Sequence, residues 1–368
     1  MSSYKQEHAV ALKAVGRAAL VTHKVFHSHN SSSISKSDAS PVTTADFAAQ
    51  ALIIASLRQS FPNDSIIAEE ESSALHSDES LCNEVWELVR SSPSSDPSQT
   101  AKDADAIGSK ESMLDLIDRG NAQGGREGRV WAIDPVDGTK GFLRGGQYAV
   151  CLALIEDGDV KVGVLGCPNL PIDASAPLPS PPSSAPSPRS PTTDGLGVLF
   201  SAIKSQGATS RPLFPTSLSS PNDSSPSETI HMRPLSSLTS ATFCESVESG
   251  HSNHSQHSTI ASRLGITNAS VRMDSQAKYG SIARGAGDVY LRLPVRAGYE
   301  EKIWDHAAGA LIVGEAGGEV SDAEGRALDF GVGRTLRNNR GVVAAPKGEV
   351  HSEVLRVVKE VLEEGSVK

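Results

Sequence analysis

The sequence predicts a layered α+β/α/β fold in which helices cover two β-sheets. Short apolar strands alternate with helical segments from about residue 242 onward, which is typical of an α/β layer. The preceding part mixes long helices with antiparallel hairpins. The chain has 368 residues, which is enough for two domains. We therefore expect an N-terminal α+β domain over residues 1–235 and a C-terminal α/β domain over residues 236–368.

The N-terminal part begins with apolar side chains at helical spacing, which predicts an amphipathic helix over residues 4–29. Thr43 or Thr44 can cap a second helix that runs to about Arg58. Asp46 lies in the first turn of that helix, where the dipole favours a carboxylate, and this alone could explain it. The other elements expected before the central strand are a strand over 65–68 and helices over 72–90 and 111–119.

Beyond the central strand, alternation of apolar residues and turn signals predicts the remaining elements. A strand over 148–155, the Asp157-Gly158 turn and a return strand over 160–165 form a hairpin. The further strands are expected over 197–203, 230–233, 242–247, 270–273, 288–293, 319–321 and 342–345, and the further helices over 255–264, 276–285, 305–315 and 348–364.

Polar, low-complexity segments interrupt this pattern. Residues near 91–110 and 171–194 are rich in Pro and Ser and have few apolar side chains to bury. We expect a mobile polar linker near 91–110, an exposed loop without a catalytic role over 171–194, and a further polar excursion over 204–227.

The central stretch is a short apolar strand over 130–133 that is followed by a turn with two carboxylates. Pro135 cannot donate to a sheet ladder, so we expect strand pairing to end there. Gly138 and Thr139 are expected to open a helix whose first N–H groups face an anion.

The carboxylates of this turn, Asp134 and Asp137, suggest a cation site. Two anions about 4 Å apart near a protein surface repel each other by roughly 4 kcal/mol. Carboxylate oxygens together with the Val136 carbonyl would suit Mg²⁺ or a similar ion. The alternative is a common Asp-Pro turn with a helix-capping Asp.

Two further acidic positions could share such an ion. The glutamates at 69–71 follow a strand directly, although charge runs on loops are usually solvated. Asp305 precedes a helix rich in small residues, where it could also be an ordinary cap. Ala307, Ala308 and Gly309 in that helix would let other backbone approach closely.

Composition limits the possible partners. The formal net charge of -10 argues against a nucleic-acid groove. No apolar run is long enough to span a membrane. The four cysteines show no C-x-x-C pairing and are typical of a reduced, cytoplasmic protein. We expect a monomer that binds a small molecule.

Two long motifs carry a family resemblance. The stretch W-A-I-D-P-V-D-G-T-K-G-F-L-R at 131–144 and the stretch W-D-H-A-A-G-A-L-I-V-G-E-A-G-G at 304–318 resemble the paired signature of the inositol monophosphatase-type, lithium-sensitive, Mg²⁺-dependent phosphatases. The resemblance extends from about residue 4 to 351, apart from the insertions. It implies an αβαβα sandwich of the sugar-phosphatase type, two or three Mg²⁺ ions and inhibition by Li⁺.

Shorter segments favour one branch of that superfamily. The segments at 40–46, 247–254, 274–279 and 288–294 resemble the 3'(2'),5'-bisphosphate nucleotidases. This implies hydrolysis of the 3'-phosphate of adenosine 3',5'-bisphosphate, and of its sulfated form in fungal members. Lys278 and Arg292 suit a second phosphate, whereas inositol phosphatases usually present an acidic residue there. The alternatives are an inositol monophosphatase, an inositol polyphosphate 1-phosphatase and a silent metabolite-binding protein.

The resemblance also implies roles for individual residues. Glu70 would lie next to the metal ligands without binding the ion itself. Asp46 and Thr139 would position and deprotonate the attacking water. The implied metal ligands are Glu69, Asp134, the Val136 carbonyl, Asp137 and Asp305. The implied substrate contacts are Gly138, Thr139, His251, Ser275, Lys278 and Arg292.

Other charged side chains near these motifs have plainer explanations. His251, His254 and His257 lie in a polar stretch that favours a solvated loop entering a helix, with a phosphate contact by His251 as the alternative. No cysteine accompanies these histidines, which argues against a zinc site. Lys140 and Arg144 are interpreted as surface charge.

Overall fold

The computed structural model describes residues 3–28, 33–35, 41–92, 107–177, 195–214, 227–248, 254–294 and 298–366. Its α-helices are α1 (Lys5–His27), α2 (Thr44–Ser60), α3 (Ser73–Ser77), α4 (Glu79–Arg90), α5 (Lys110–Asp118), α6 (Thr139–Arg144), α7 (His254–Arg263), α8 (Ala277–Ala283), α9 (Ala307–Glu315) and α10 (Glu349–Ser366). Short 3₁₀ turns cover Leu238–Ser240 and Ile303–Asp305.

The strands form two main sheets and one small ribbon. They are β1 (Ser33–Ser35), β2 (Pro41–Thr43), β3 (Ser65–Ala68), β4 (Arg129–Asp137), β5 (Ala149–Glu156), β6 (Asp159–Pro171), β7 (Leu196–Ile203), β8 (Ala208–Pro212), β9 (Glu228–Ile230), β10 (Phe243–Glu245), β11 (Val271–Arg272), β12 (Val289–Arg292), β13 (Gly318–Ser321) and β14 (Val342–Pro346). The larger sheet has seven strands in the order β3-β4-β5-β6-β7-β8-β9, and the smaller has five in the order β11-β10-β12-β14-β13.

Strand direction differs between the two sheets. In the larger sheet only β3 and β4 pair in parallel, and the other pairs are antiparallel. In the smaller sheet β10 is parallel to both of its neighbours, whereas β14 is antiparallel to both β12 and β13. The antiparallel ribbon of β1 and β2 precedes α2.

Apolar clusters fill the spaces between five layers. Helices α1 and α2 pack on one face of the larger sheet, around side chains such as Trp131 and Leu152. Helices α8 and α9 lie between the two sheets, where Cys151 faces them from the larger sheet and Tyr290 from the smaller. Helices α7 and α10 cover the outer face of the smaller sheet. The predicted layering of helices around two sheets is confirmed.

The pleat explains how two cores share one sheet. Neighbouring side chains on a strand point to opposite faces. On β4, Trp131 and Ile133 contact the helices of the first layer, whereas Val130 and Ala132 face the middle layer. This period of two, in strands that are buried on both faces, produces the continuous apolar runs seen in the sequence.

Several boundaries differ from those predicted. Strand β4 does not end at Pro135 but continues to Asp137, because the register shifts between Asp134 and Asp137 and this irregularity accommodates the missing donor. The helix expected over 72–90 is divided at Asp78, whose side chain caps α4. Strand β8 lies within the predicted polar excursion over 204–227.

Asp305 does not cap the helix that follows it, so that interpretation is wrong. It ends a 3₁₀ turn, and α9 begins at Ala307 after His306, which makes no side-chain cap. Its carboxylate therefore does not cap the first N–H groups of the helix.

Other expectations fall partly outside the described residues. The seven-stranded sheet uses residues 65–230 and the five-stranded sheet residues 243–346, while the domain boundary at 235/236 stays a prediction. The insertions near 91–110 and 171–194 lie largely outside the described residues. Within the described part of the chain, no helix is both long and apolar enough to cross a membrane.

The small residues of α9 allow the close packing that the sequence predicts. A Cβ on Gly163 of β6 would come within 2.8 Å of the Ala308 carbonyl oxygen. A Cβ on Gly309 would come within 2.3 Å of Tyr279 Cδ2. Helix α9 is thus held tightly between α8 and the larger sheet.

We expect Gly309→Ala to destabilise the protein by about 1–3 kcal/mol, because the added methyl group forces the buried Tyr279 ring to move. Gly314→Ala is the matched control on the same helix, since a Cβ there meets nothing within 4 Å. The control should be neutral or stabilising by about 0.5–1 kcal/mol. Urea-induced unfolding measures both, and equal stabilities of the two variants would contradict the close packing of α9.

Candidate active site

Most of the residues singled out in the sequence line one cleft of about 410 Å³. It receives residues from both main sheets and from the 3₁₀ turn before α9. Its lining includes the sequence-predicted Glu69, Asp134, Val136, Asp137, Gly138, Thr139, Ser275, Lys278, Arg292 and Asp305.

The irregular end of β4 presents two of the carboxylates. After Asp134 the pairing with β5 is interrupted and resumes at Asp137. Asp137 Oδ2 accepts the main-chain N–H of Gln276 at 2.5 Å. The residue next to Asp137, Gly138, has φ 87°, a left-handed conformation that favours glycine, and starts α6 as predicted.

Crowding of negative charge shifts the acid–base properties of these groups. Burial, and then the nearby Asp305 carboxylate, raise the pKa of Asp137 to about 7. Burial is also the main cause that raises the pKa of Asp305, and Glu69 and Glu301 add to it. The ionised cluster is therefore unfavourable without a positive partner.

The donor set fits a hard divalent cation. It consists of carboxylate oxygens and the Val136 carbonyl, without a thiol. These are the ligands that Mg²⁺ takes in proteins. A cation bound between the carboxylates would favour the ionised form of Asp137, against the burial and the repulsion by Asp305 that raise its pKa.

Two side chains hold the acidic segment that follows β3. The Gln50 amide donates to the Glu70 carbonyl at 2.7 Å and accepts the Glu70 N–H at 3.0 Å. Arg334 donates to the Ala68 carbonyl at 2.6 Å, and its guanidinium lies 4.8 Å from the centre of the Trp304 ring. Glu69 thus faces the cleft, and Glu70 is buried behind it.

Asp46 and Thr139 form a connected pair. The Thr139 hydroxyl lies 3.4 Å from Asp46 Oδ1 and 3.1 Å from the Val136 carbonyl oxygen. Thr43 donates both its N–H, at 2.8 Å, and its hydroxyl, at 2.6 Å, to Asp46 Oδ2. Asp46 is therefore more than a helix-dipole partner, because its second oxygen is directed at Thr139.

A basic side chain lies opposite the carboxylates. Lys278 is buried and donates to the carbonyls of Met273, at 3.1 Å, and Ser275, at 2.8 Å. An ammonium has three donors, so these two bonds fix its direction. Burial lowers the pKa of Lys278 to about 8, and Asp137 opposes that shift. Ser275 precedes it in a left-handed conformation with φ 70°.

Arg292 reaches the cleft but is shared between two carboxylates. Its Nη2 lies 2.7 Å from Glu301 Oε2 and 3.3 Å from Asp305 Oδ2. Glu301 in turn lies 3.3 Å from His306 Nε2. The pKa of Glu301 falls to about 2 despite its burial, because Arg292 stabilises the ionised form. A phosphate contact by Arg292 stays a prediction.

The structure tests the interpretations of His257 as solvated and of Arg144 as surface charge. His251 lies outside the described residues. His257 is not solvated, since its side chain is buried with Nδ1 3.8 Å from Glu245 Oε2. Arg144 is also more than surface charge, because it contacts Glu248 and lies 2.6 Å from Asp274 Oδ2.

Sequence reasoning missed the residues that hold the site together, chiefly Gln276, Arg334 and Glu301. Gln276 and Glu301 lie within or beside the motifs, but the sequence does not indicate their roles. Gln276 is an uncharged amide, and Glu301 is one of two adjacent glutamates. Arg334 is far from every motif in the chain and meets β3 only through the fold.

The chain resembles known proteins over nearly its whole length. A model of the inositol monophosphatase family matches residues 3–363. A 3'(2'),5'-bisphosphate nucleotidase of Emericella nidulans is 54% identical over 360 residues, covering 98% of this chain and 99% of that protein. A protein of the same name from Schizosaccharomyces pombe is 46% identical over 351 residues, covering 94% of this chain and 93% of that protein.

Solved structures agree on the fold. An IMPase of Thermotoga maritima has a TM-score of 0.61 at 20% identity and is matched over 98% of this chain and 99% of its own. The extragenic suppressor protein suhB of Bartonella henselae has a TM-score of 0.60 at 19% identity, with 97% and 99% covered. Together with the family model and the closely similar sequences, this confirms the resemblance carried by the two motifs: the chain belongs to the inositol monophosphatase family.

Proposed function

We propose that this chain hydrolyses the 3'-phosphate of adenosine 3',5'-bisphosphate to give AMP and phosphate, in a reaction that depends on Mg²⁺. The observation that carries the proposal is the meeting of Asp134, Asp137 and Asp305 with Lys278 in one cleft. An anion-binding lysine beside a cation site suits a substrate with two phosphoryl groups. The names and identities of the relatives from Emericella nidulans and Schizosaccharomyces pombe support this choice.

The carboxylates define the metal site of this proposal. Glu69, Asp134, Asp137, Asp305 and the Val136 carbonyl would hold two or three Mg²⁺ ions. When bound, such ions stabilise charge on phosphoryl oxygens and lower the pKa of an attacking water. Asp137 must be ionised to take part, which the positive charge of the ions favours.

Asp46 and Thr139 would act on the attacking water. The Thr139 hydroxyl can accept a proton from water while it donates its own proton toward Asp46 Oδ1, at 3.4 Å. A hydroxyl alone is a weak base, so the carboxylate provides the driving force. Thr43 keeps Asp46 oriented through its two hydrogen bonds. Water would then attack phosphorus in line as the bond to the ribose 3'-oxygen breaks. The 3'-oxygen would leave as a hydroxyl group by taking a proton from solvent, and Asp46 would return its proton to solvent.

The other side of the cleft would hold the substrate. The N–H groups of Gly138 and Thr139 would contact the reacting phosphoryl group, and Ser275, Lys278 and Arg292 the rest of the nucleotide. His251 stays a predicted contact, outside the described residues. Because Lys278 would meet an anion in either case, we propose the 5'-phosphosulfate analogue as a second substrate.

We also propose that the enzyme works in the cytoplasm and is inhibited by Li⁺. All four cysteines are buried free thiols, which is typical of a reducing compartment. Li⁺ inhibition rests on membership of the family, and the expected monomer stays a prediction.

Full-length protein should release phosphate from adenosine 3',5'-bisphosphate in MgCl₂ and lose this activity in excess EDTA. Asp134→Asn should lower kcat by about 100-fold or more, because it removes a ligand charge that would hold the ion beside the reacting phosphoryl group. A colorimetric phosphate assay measures the release. The control Asp159→Asn, in a half-exposed carboxylate paired with Lys161 and Lys204, should keep wild-type activity. Wild-type turnover by Asp134→Asn would contradict the proposal.

Lys278→Ala should lower kcat/KM for adenosine 3',5'-bisphosphate by about 10–100-fold, because a charge-assisted contact with the 5'-phosphate is lost. Adenosine 3'-monophosphate lacks that phosphate, so its kcat/KM should change much less. Lys140→Ala, which removes a half-exposed lysine of the same cleft, is the matched control and should affect both substrates little. An unchanged ratio between the two substrates would favour an inositol phosphatase instead.

MgCl₂ should raise the melting temperature of the wild type without substrate, since a cation that binds only the folded state stabilises it. Asp137→Asn should reduce this shift, because one ligand charge is lost. In EDTA the same variant should melt roughly 2 °C or more above the wild type, because one of the repelling carboxylates is gone. Differential scanning fluorimetry measures both effects. An equal Mg²⁺ shift in the two proteins would exclude Asp137 as a ligand.

A further inference from the structure

Gln276 connects three parts of the cleft. Its main-chain N–H donates to Asp137 Oδ2 at 2.5 Å. Its side-chain Nε2 donates to the Trp304 carbonyl at 2.7 Å, and its Oε1 accepts the Gly309 N–H at 3.0 Å. The side chain is buried. One residue thus contacts the end of β4, the 3₁₀ turn and helix α9.

These contacts bracket Asp305. Trp304 directly precedes it, and Gly309 lies in the first turn of the helix that follows. Both flanking main-chain segments are therefore tied to the residue that also bonds Asp137. Through Gln276 the carboxylate of Asp137 is thereby connected to the main chain on both sides of Asp305.

Few side chains could make this connection. An uncharged amide donates and accepts at its tip and adds no charge to an already acidic site. A Glu would bring a further anion, and an apolar side chain would leave the Trp304 carbonyl and the Gly309 N–H without these bonds. The left-handed conformation of Ser275, with φ 70°, precedes the residue whose N–H reaches Asp137.

We propose that Gln276 is a positioning residue that sets the separation of Asp137 and Asp305 and thereby the affinity of the cleft for divalent cations. The inference rests on the metal site of the proposed function. It assigns Gln276 no contact with the reacting atoms. Groups that orient metal ligands from behind typically change metal affinity by about 10–100-fold when they are lost.

The test measures metal binding without substrate, in full-length protein. Gln276→Met keeps the approximate length and removes both side-chain hydrogen bonds. Binding of Mn²⁺, followed by the loss of its free electron paramagnetic resonance signal, should weaken by about 10–100-fold. The MgCl₂ concentration that gives half of the rise in melting temperature should increase in parallel. At saturating MgCl₂, the KM for adenosine 3',5'-bisphosphate should stay close to the wild-type value.

Ser321→Ala controls for a general loss of stability. Ser321 is also buried and contacts His351 Nε2 at 3.1 Å in the smaller sheet, outside the cleft lining. This variant should lose stability and keep wild-type Mn²⁺ affinity. Gln276→Asn retains the amide but shortens the side chain by one methylene, so this variant should also bind Mn²⁺ more weakly. It replaces Gln276→Met in the test if that variant does not fold.

The outcomes separate this inference from the proposed function. If the wild type binds neither Mn²⁺ nor Mg²⁺, the proposed metal site is wrong. If the wild type binds Mn²⁺ and the Gln276 variants bind it with the same affinity, the positioning role is overturned. A loss of affinity in Ser321→Ala that equals the loss in Gln276→Met would overturn it as well.

Discussion

Mutual repulsion among the carboxylates of the cleft is the constraint around which this structure is arranged. Asp137 and Asp305 come from distant parts of the chain and line the same cleft. Bringing partly buried carboxylates together is unfavourable, because burial disfavours each charge and like charges repel. The site therefore needs a rigid scaffold that holds the carboxylates in place.

The five-layer packing provides that scaffold. Strand β4 pairs with β3 as far as Ile133 and with β5 as far as Asp137, so its main chain is held on both sides up to the residue before Asp134. Helix α9 lies between the sheets, where Gly163 and Gly309 leave no space for a methyl group. The hydrogen bonds of Gln50, Gln276 and Arg334 then attach the acidic segments to this framework. Buried polar groups with satisfied partners can fix a conformation in a way that apolar contacts alone cannot.

Much of the fold and of the cleft could be predicted from local pattern. Strand β3 has the predicted bounds, and helix α1 differs from its prediction by two residues or fewer at each end, because apolar periodicity is strong there. The pattern failed where tertiary contacts override a local rule. Pro135 lies inside β4 because the register shift there accommodates the missing N–H donor. Asp305 ends a 3₁₀ turn and lines the cleft, and it does not cap the helix. His257 is buried although its surroundings in the sequence are polar.

The sequence by itself determined which chemical groups are present and in which local context. The turn at 134–139 and the acidic end of β3 indicated a cation site, because residue type and strand ends are local properties. The family resemblance added an anion contact by the lysine at 278. Only the tertiary structure decided how these groups meet. Arg334 supports Glu69, Glu301 orients Arg292, and Gln276 links Asp137 to the turn that carries Asp305. The contacts of Arg334 and Gln276 join residues far apart in the chain, and no local periodicity encodes the distance between them.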